Sequence, residues 1–251
     1  PDGNELCDVL VLHDRKVFIF QCKTKKLRYE AKIGMDYNLI KDDLSKSVKE
    51  SFEQASRARE YFFNNQQTKI KVSRGEIVVD SKQISEIFPV SITLGDYQDL
   101  TTRLANINPA LNLFSDNQYP WAVSLLDLRI ISEIIDYPSM FIHYVKRRLA
   151  IEKTNFELKA DETDLLGFYL SQGLYFETDE FKKMNGVALT GFSDDIDKFF
   201  FEKYECGKSP QKPKQKMPAQ FEEYLQSIES LESPYKTDCA IRLLELGYQG
   251  R

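Results

Sequence analysis

The sequence predicts an α/β (α+β) fold: a central mixed β-sheet flanked by helices, followed by a mostly helical C-terminal part. Two observations carry this reading. Runs rich in Val, Ile and Phe with turn signals between them crowd the first half, while stretches of helical spacing fill the second. The order is strand, strand, helix, strands, helices, which suits a sheet domain leading into a helical region. With 251 residues and 42% hydrophobic composition the chain can bury a real core, in one generous domain or two small ones. The division expected is a sheet domain over 1–152 and a helical region over 153–251.

Cys7 to Asp14 (CDVLVLHD) and Lys16 to Lys23 (KVFIFQCK) read as a hairpin around a polar turn. Both runs are apolar on both faces, which predicts strands in the middle of a sheet covered on two sides. Ile40, Leu44, Val48, Phe52, Ala55 and Phe62 recur at helical spacing, so 38–65 reads as one long amphipathic helix. Lys69 to Asp80 reads as a second hairpin about Arg74-Gly75, and Phe88 to Leu94 as a further strand.

Tyr97 to Leu111 reads as a helix broken near Asn108-Pro109. Trp121 to Leu126 reads as a strand and Leu128 to Ile135 as a helix capped by Asp127. Ser139 to Glu152 reads as a helix ending in a solvated basic cluster, Lys146, Arg147 and Arg148. Thr163 to Gln172 reads as a helix stopped by Gly173. Gly207 to Pro218 (GKSPQKPKQKMP) reads as a loop or linker. Helices over Ala219 to Leu231 and Thr237 to Leu246, the latter stopped by Gly247, complete the chain.

Composition excludes several classes. Cys7, Cys22, Cys206 and Cys239 form no CxxC pair, and with His13 and His143 as the two histidines a zinc ribbon or His-rich metal site is excluded. His143, between Ile142 and Tyr144, reads as a packed histidine. Asp194, Asp195 and Asp197 lack the glycine and distal glutamate of a calcium loop and read as a helix start. Phe199 to Phe201 read as core or partner surface. No apolar run reaches the roughly 20 residues needed to span a bilayer, so no membrane role is expected. The opening PDGNELCD has neither a starting Met nor a secretion signal, which fits a fragment of a cytoplasmic protein. A net charge of −5 argues against coating nucleic acid non-specifically, but leaves room for a local basic face.

The end of the first hairpin carries the chemistry. With a two- or four-residue turn, His13 faces Lys16 and Asp8 faces Gln21; a three-residue turn would break that match. Facing side chains sit about 5 Å apart at Cβ, and Gln21 and Lys23, two residues apart, share a face. An acid, an amide oxygen and an amine would then converge. Asp8, the Gln21 amide oxygen and the Cys22 backbone carbonyl suit a hard cation such as Mg²⁺ or Mn²⁺, and Lys23 would stabilise charge growing on a phosphate. The plainer reading is two strands that end in polar residues because they reach the surface.

Asp, an apolar run, a turn, a second apolar run and then Gln-x-Lys resembles the PD-(D/E)xK, or restriction-endonuclease-like, nuclease superfamily. The QCK form is similar to its Mrr-like branch, and Glu5 before Asp8 (ELCD) to its NERD-like branch. The resemblance covers about Gly3 to Leu94. It implies a four-stranded mixed sheet flanked by helices and Mg²⁺-dependent hydrolysis of phosphodiesters, most simply as an endodeoxyribonuclease, with microbial defence as a setting. It implies Asp8, Gln21 and Lys23 as catalytic residues, and Asp8, Gln21, the Cys22 carbonyl and, as a compensating acid, Glu5 as metal ligands. Gln21 stands where the family usually has a second acid, and the family's first helix would fall before Pro1. Lys25, Lys26 and Arg28, with Gln54 on the following helix, are candidates for contact with nucleic acid, against the alternative of a solvated basic loop and an exposed polar helix face. The rival function is a catalytically silent scaffold that binds nucleic acid, or a protein partner through the C-terminal helices.

Overall fold

The computed structural model describes residues 5–34, 36–72, 75–97, 99–115, 117–179 and 181–249. The chain forms two compact units: Pro1–Gly95 with Pro120–Ala122, and Asp96–Tyr119 with Val123–Arg251. This division falls near Gly95 rather than after residue 152. Among the described residues no helix is long and apolar enough to cross a membrane.

The first unit opens with β1 (Val9–His13) and β2 (Lys16–Lys23), paired antiparallel with His13 opposite Lys16 and Val9 opposite Phe20. Asp14, at φ +49°, takes the left-handed conformation that the tight turn requires. Then come α1 (Tyr29–Gly34), α2 (Tyr37–Leu44), a π-helical turn (Ser45–Lys49) and α3 (Glu50–Asn64), followed by β3 (Gln67–Val72), β4 (Gly75–Asp80) and β5 (Glu86–Thr93). The long helix expected over 38–65 is therefore this α2–π–α3 run. β3 and β4 form the second hairpin, with Val72 opposite Gly75; Ser73 and Arg74 lie outside the described residues.

In the second unit, α4 (Asp99–Thr102) and α5 (Leu104–Leu111) follow. The break falls at Arg103, not at Pro109, which sits inside α5. Arg103 leaves the helical conformation and donates to the carbonyls of Phe156 and Thr154, and that long-range anchoring sets the break. β6 (Trp121–Ser124) runs into α6 (Leu125–Ile134). The cap of α6 is Ser124 rather than Asp127: the Ser124 hydroxyl accepts from the Asp127 backbone N–H at 3.0 Å and donates to the Asp127 carboxyl at 2.6 Å. The remaining elements are α7 (Pro138–Ile151), β7 (Glu157–Lys159), α8 (Glu162–Gln172), β8 (Gly186–Ala188), α9 (Asp194–Phe200), α10 (Ala219–Glu229) and α11 (Lys236–Gln249). Gly173, at φ +76°, caps α8 as its position predicts. Residues 207–218 carry no regular structure, and α11 runs past Gly247 to Gln249.

The main sheet is mixed, with order β1-β2-β5-β6; β2 and β5 are parallel, and Trp121 and Ala122 of β6 belong to the first unit. β2 is buried from Lys16 through Gln21, as a central strand should be. β1 is not central. It forms the sheet's edge, with Val9, Val11 and Leu12 each more than 40% exposed. Apolarity on both faces reports strand type; it does not count a strand's neighbours.

α3 lies on one face of this sheet. Ala55, Ala58 and Phe62 pack with Val17 and Ile19, and Leu10 joins them from β1. The helix is also fastened by hydroxyls: Ser51 donates to Ser91, the β5 partner of Gln21, and both serines are fully buried. The opposite face of β2 and β5 carries a stack of Phe18 on Phe88, with ring centroids 4.8 Å apart.

The second unit holds a buried ionic cluster instead of a solvated basic helix end. Arg148 is 2% exposed and donates to Glu162 at 3.0 Å, with Glu152 at 3.7 Å. Arg147 pairs with Glu177 at 2.5 Å and lies 3.8 Å over the Tyr175 ring. His143 is packed, as expected: its ring nitrogens stand 3.0 Å from the Tyr169 hydroxyl and 3.3 Å from that of Tyr175. Burial, then the nearby Arg147 and Lys146, push its pKa down to about 3, so it is neutral. The acidic run Asp194, Asp195 and Asp197 begins α9. Of the three phenylalanines, Phe199 is buried and Phe201 is 61% exposed.

Candidate functional site

The candidate site forms at the end of the first hairpin. The observed β1–β2 register is the one that sets Asp8 opposite Gln21. Asp8 itself lies one residue before β1, and its carboxylate accepts a hydrogen bond from the Cys22 backbone N–H at 2.6 Å. That short, charge-assisted bond draws the acid across to the end of β2, between Gln21 and Lys23 in sequence.

Alternation along β2 sends Val17, Ile19, Gln21 and Lys23 to one face of the sheet. Val17 and Ile19 meet α3 there, so Gln21 and Lys23 look toward the same helix. Lys23 reaches it: its ammonium donates to the Gln54 amide oxygen at 2.9 Å. Gln21 is buried, Lys23 half-buried, and Asp8, Cys22 and Glu5 exposed. The site thus runs from a buried amide, through a partly covered amine, to an acid at the surface.

The Asp8 charge is felt locally. Burial, then Asp8 and Glu5, push the Cys7 thiol up to about 11. The Cys22 thiol is also raised, by burial and then by Asp8. Both shifts favour the protonated thiol.

The basic segment beyond Lys23 is largely engaged within the fold. The Lys25 ammonium lies 3.2 Å from Asp43, which is fully buried. Arg28 pairs with Asp43 at 2.9 Å and with Asp42 at 2.6 Å, and its backbone N–H donates to Asp43. Burial works against the Asp43 charge, but the Arg28 backbone and side chain and then Lys25 outweigh it, so its pKa is lowered. Lys25 and Arg28 are thus ion-paired to acids of the fold while each side chain stays 35% exposed. Lys26 is exposed, and Lys16, at 3% exposure, pairs with Glu86 at 2.6 Å. Gln54, read as an exposed helix residue or a contact for nucleic acid, is half-buried against Lys23. Asp43 and the Ser51–Ser91 pair gave no functional signal in the sequence, because each gains its role from a partner distant along the chain.

Among the described residues no three His, Cys, Asp or Glu side chains stand close enough to hold a metal ion. The expected ligands are of another kind: the Asp8 carboxylate, the Gln21 amide and the Cys22 carbonyl. All three are hard donors, the type that Mg²⁺ and Mn²⁺ take, and together they bring one negative charge. In type they fit such an ion; in charge they fit it weakly. No family model, curated protein or solved structure matches this chain.

Proposed function

We propose that the first unit is a divalent-cation-dependent nuclease that hydrolyses phosphodiester bonds, most simply those of DNA. One observation carries the reading: the Asp8 carboxylate is bonded to the peptide between Gln21 and Lys23, while those two side chains share the face covered by α3. Asp8, Gln21 and the Cys22 carbonyl would hold the cation. When bound, it would supply Lewis acidity toward a phosphate oxygen. The chain's own part is to bind and orient. Asp8 holds its place through the Cys22 N–H. Gln21 offers a neutral oxygen from the sheet interior. Lys23 presents a positive charge to the phosphate as negative charge grows on it in the transition state. Lys26, three residues further on, is exposed and suited to a neighbouring phosphate. A reducing cytoplasm is the setting proposed, and the four free cysteines support it.

The test is supercoiled-plasmid cleavage with Mg²⁺ or Mn²⁺, with and without EDTA, by the parent, Asp8→Asn and Lys23→Ala. The expected result is metal-dependent cutting by the parent, reduced about 100-fold or more in each variant. Equal cutting by parent and Lys23→Ala would remove Lys23 from the mechanism.

A second reading is a silent nuclease-like scaffold that binds nucleic acid, or a protein through its C-terminal helices. It is favoured by the single formal charge among the proposed ligands, with no acidic cluster among the described residues to add to it. DNA binding without cleavage in either metal would select it.

A further inference from the structure

The contact between Lys23 and Gln54 joins a strand to a helix 31 positions further along the chain. A lysine side chain has four rotatable carbons and roams widely unless something holds it. Three features hold this one. The Lys23 ammonium donates to the Gln54 amide oxygen at 2.9 Å. Gln54 stands one helical turn after Ser51, on the same side of α3, and Ser51 is bonded to Ser91 in the sheet. Ser91 is the β5 partner of Gln21, and the next inward residue, Thr93, is the partner of Lys23. The helix is thereby fastened to the sheet one turn before the point where it meets the amine. Ala55 and Ala58 continue the same contact toward Val17 and Ile19, with small side chains that let the helix lie close.

The chemistry of the acceptor matters as much as its place. The cations that follow Lys23 in the basic segment meet a carboxylate: Lys25 and Arg28 meet Asp43. Lys23 meets an amide. An amide oxygen orients the ammonium and leaves its positive charge intact, whereas a carboxylate would cancel it.

We propose that Gln54 is a positioning residue for Lys23: it holds the ammonium on the α3 side of the β2 end, charged and ready for an anion. Its use in catalysis rests on the nuclease reading above; its placing of the amine does not. The experiment therefore has two readouts on the full chain. The first is the ammonium resonance of Lys23 in a ¹H–¹⁵N NMR spectrum, assigned by its loss in Lys23→Arg. The second is the rate of metal-dependent plasmid cleavage, separated into kcat and KM.

In the parent, the Lys23 ammonium gives a resonance distinct from the solvated lysines. Gln54→Leu moves it into the solvated group, with kcat lower by about 10- to 100-fold and KM within about 2-fold of the parent. Gln54→Glu keeps an oxygen at the same reach and restores the distinct resonance, which separates loss of the acceptor from damage to α3. A Lys23 resonance unchanged in Gln54→Leu would overturn the proposal. So would a lost resonance with an unchanged kcat, because the amine's place would then not matter to the reaction. If the parent does not cut but the resonance responds as stated, the nuclease reading falls and the placing of Lys23 by Gln54 stands.

Discussion

Replacing Arg148 by methionine removes a cation buried between Glu152 and Glu162. The side chain is 2% exposed, and its partners are 8% and 4% exposed. After the change, Glu162 keeps a hydrogen bond from the Tyr144 hydroxyl at 2.6 Å. Glu152 keeps the backbone N–H groups of Leu104 and Ala105, at 3.2 and 2.8 Å. Neither set replaces the guanidinium between them, and the pull of buried Arg103 on Glu152 acts from further off, so both carboxylates lose their paired cation. Removing one partner of a buried pair costs about 3–5 kcal/mol, and methionine restores the packing of the stem but not the charge. The pH dependence has a definite sign. Burial raises the Glu152 pKa even against the pull of Arg148, and losing Arg148 raises it further. A carboxyl with a raised folded pKa carries no penalty below its unfolded value near 4.3 and the full penalty above its folded value. The deficit of Arg148→Met is therefore larger at pH 7 than at pH 5. Hydrogen exchange of the α7 amides at both pH values reads this locally, without assuming that the two units unfold together. A deficit under about 1 kcal/mol at pH 7, or one equal at both pH values, would refute the reasoning.

Two further outcomes follow from the second unit. Gly167 in α8 has no room for a side chain: an added Cβ would stand 1.9 Å from the backbone oxygen of Phe192. Gly167→Ala gains about 1 kcal/mol of helix propensity but forces α8 away from that carbonyl, for a net loss of about 2 kcal/mol or more in urea unfolding; a stabilised variant would contradict the packing. Burial pushes the Asp127 carboxyl up to about 6, with Glu162, Asp96 and Asp161 adding to the rise and the Ser124 hydroxyl opposing it. Asp127 thus carries no penalty below about pH 4 and its full penalty, at most about 3 kcal/mol, above pH 6. Melting temperatures of parent and Asp127→Asn should diverge in favour of the asparagine variant as pH rises from 4 to 7, and parallel profiles would count against the assignment.

Local features were legible and long-range partners were not. The hairpin register could be read from the turn and from the polar ends of its runs, and with it the pairing that brings Asp8 to β2. The edge position of β1 could not, because a neighbouring strand comes from residues far along the chain. Periodicity put Phe52 on the inner stripe of the long helix. The fully buried residue beside it is Ser51, whose hydroxyl is satisfied by Ser91 some forty residues on. Charge clusters misled in the same way. Arg148 reads as a solvated cation when judged by its neighbours in sequence, and it, like Lys25 and Arg28, is matched by an acid brought in by the fold. One half of the Arg148 cluster was within reach, since Glu152 stands four residues later on the helix. At the candidate site, residue types were readable, while the contact that holds Lys23 depended on how α3 crosses the sheet.

The parallel pairing of β2 with β5 has a consequence for biosynthesis. Antiparallel β1 and β2 can meet as soon as both leave the ribosome. The strand that lies on the other side of β2 begins only at Glu86, after three helices and a second hairpin have been made. Closing so long a loop is entropically costly and slow compared with zipping a hairpin. Until Ser91 arrives, α3 lacks its hydroxyl anchor and the inner face of β2 is open to water. A nascent chain halted before Thr93 would display Asp8, Gln21 and Lys23 on a loose ribbon, so any chemistry they perform begins only once translation has passed the sheet's centre.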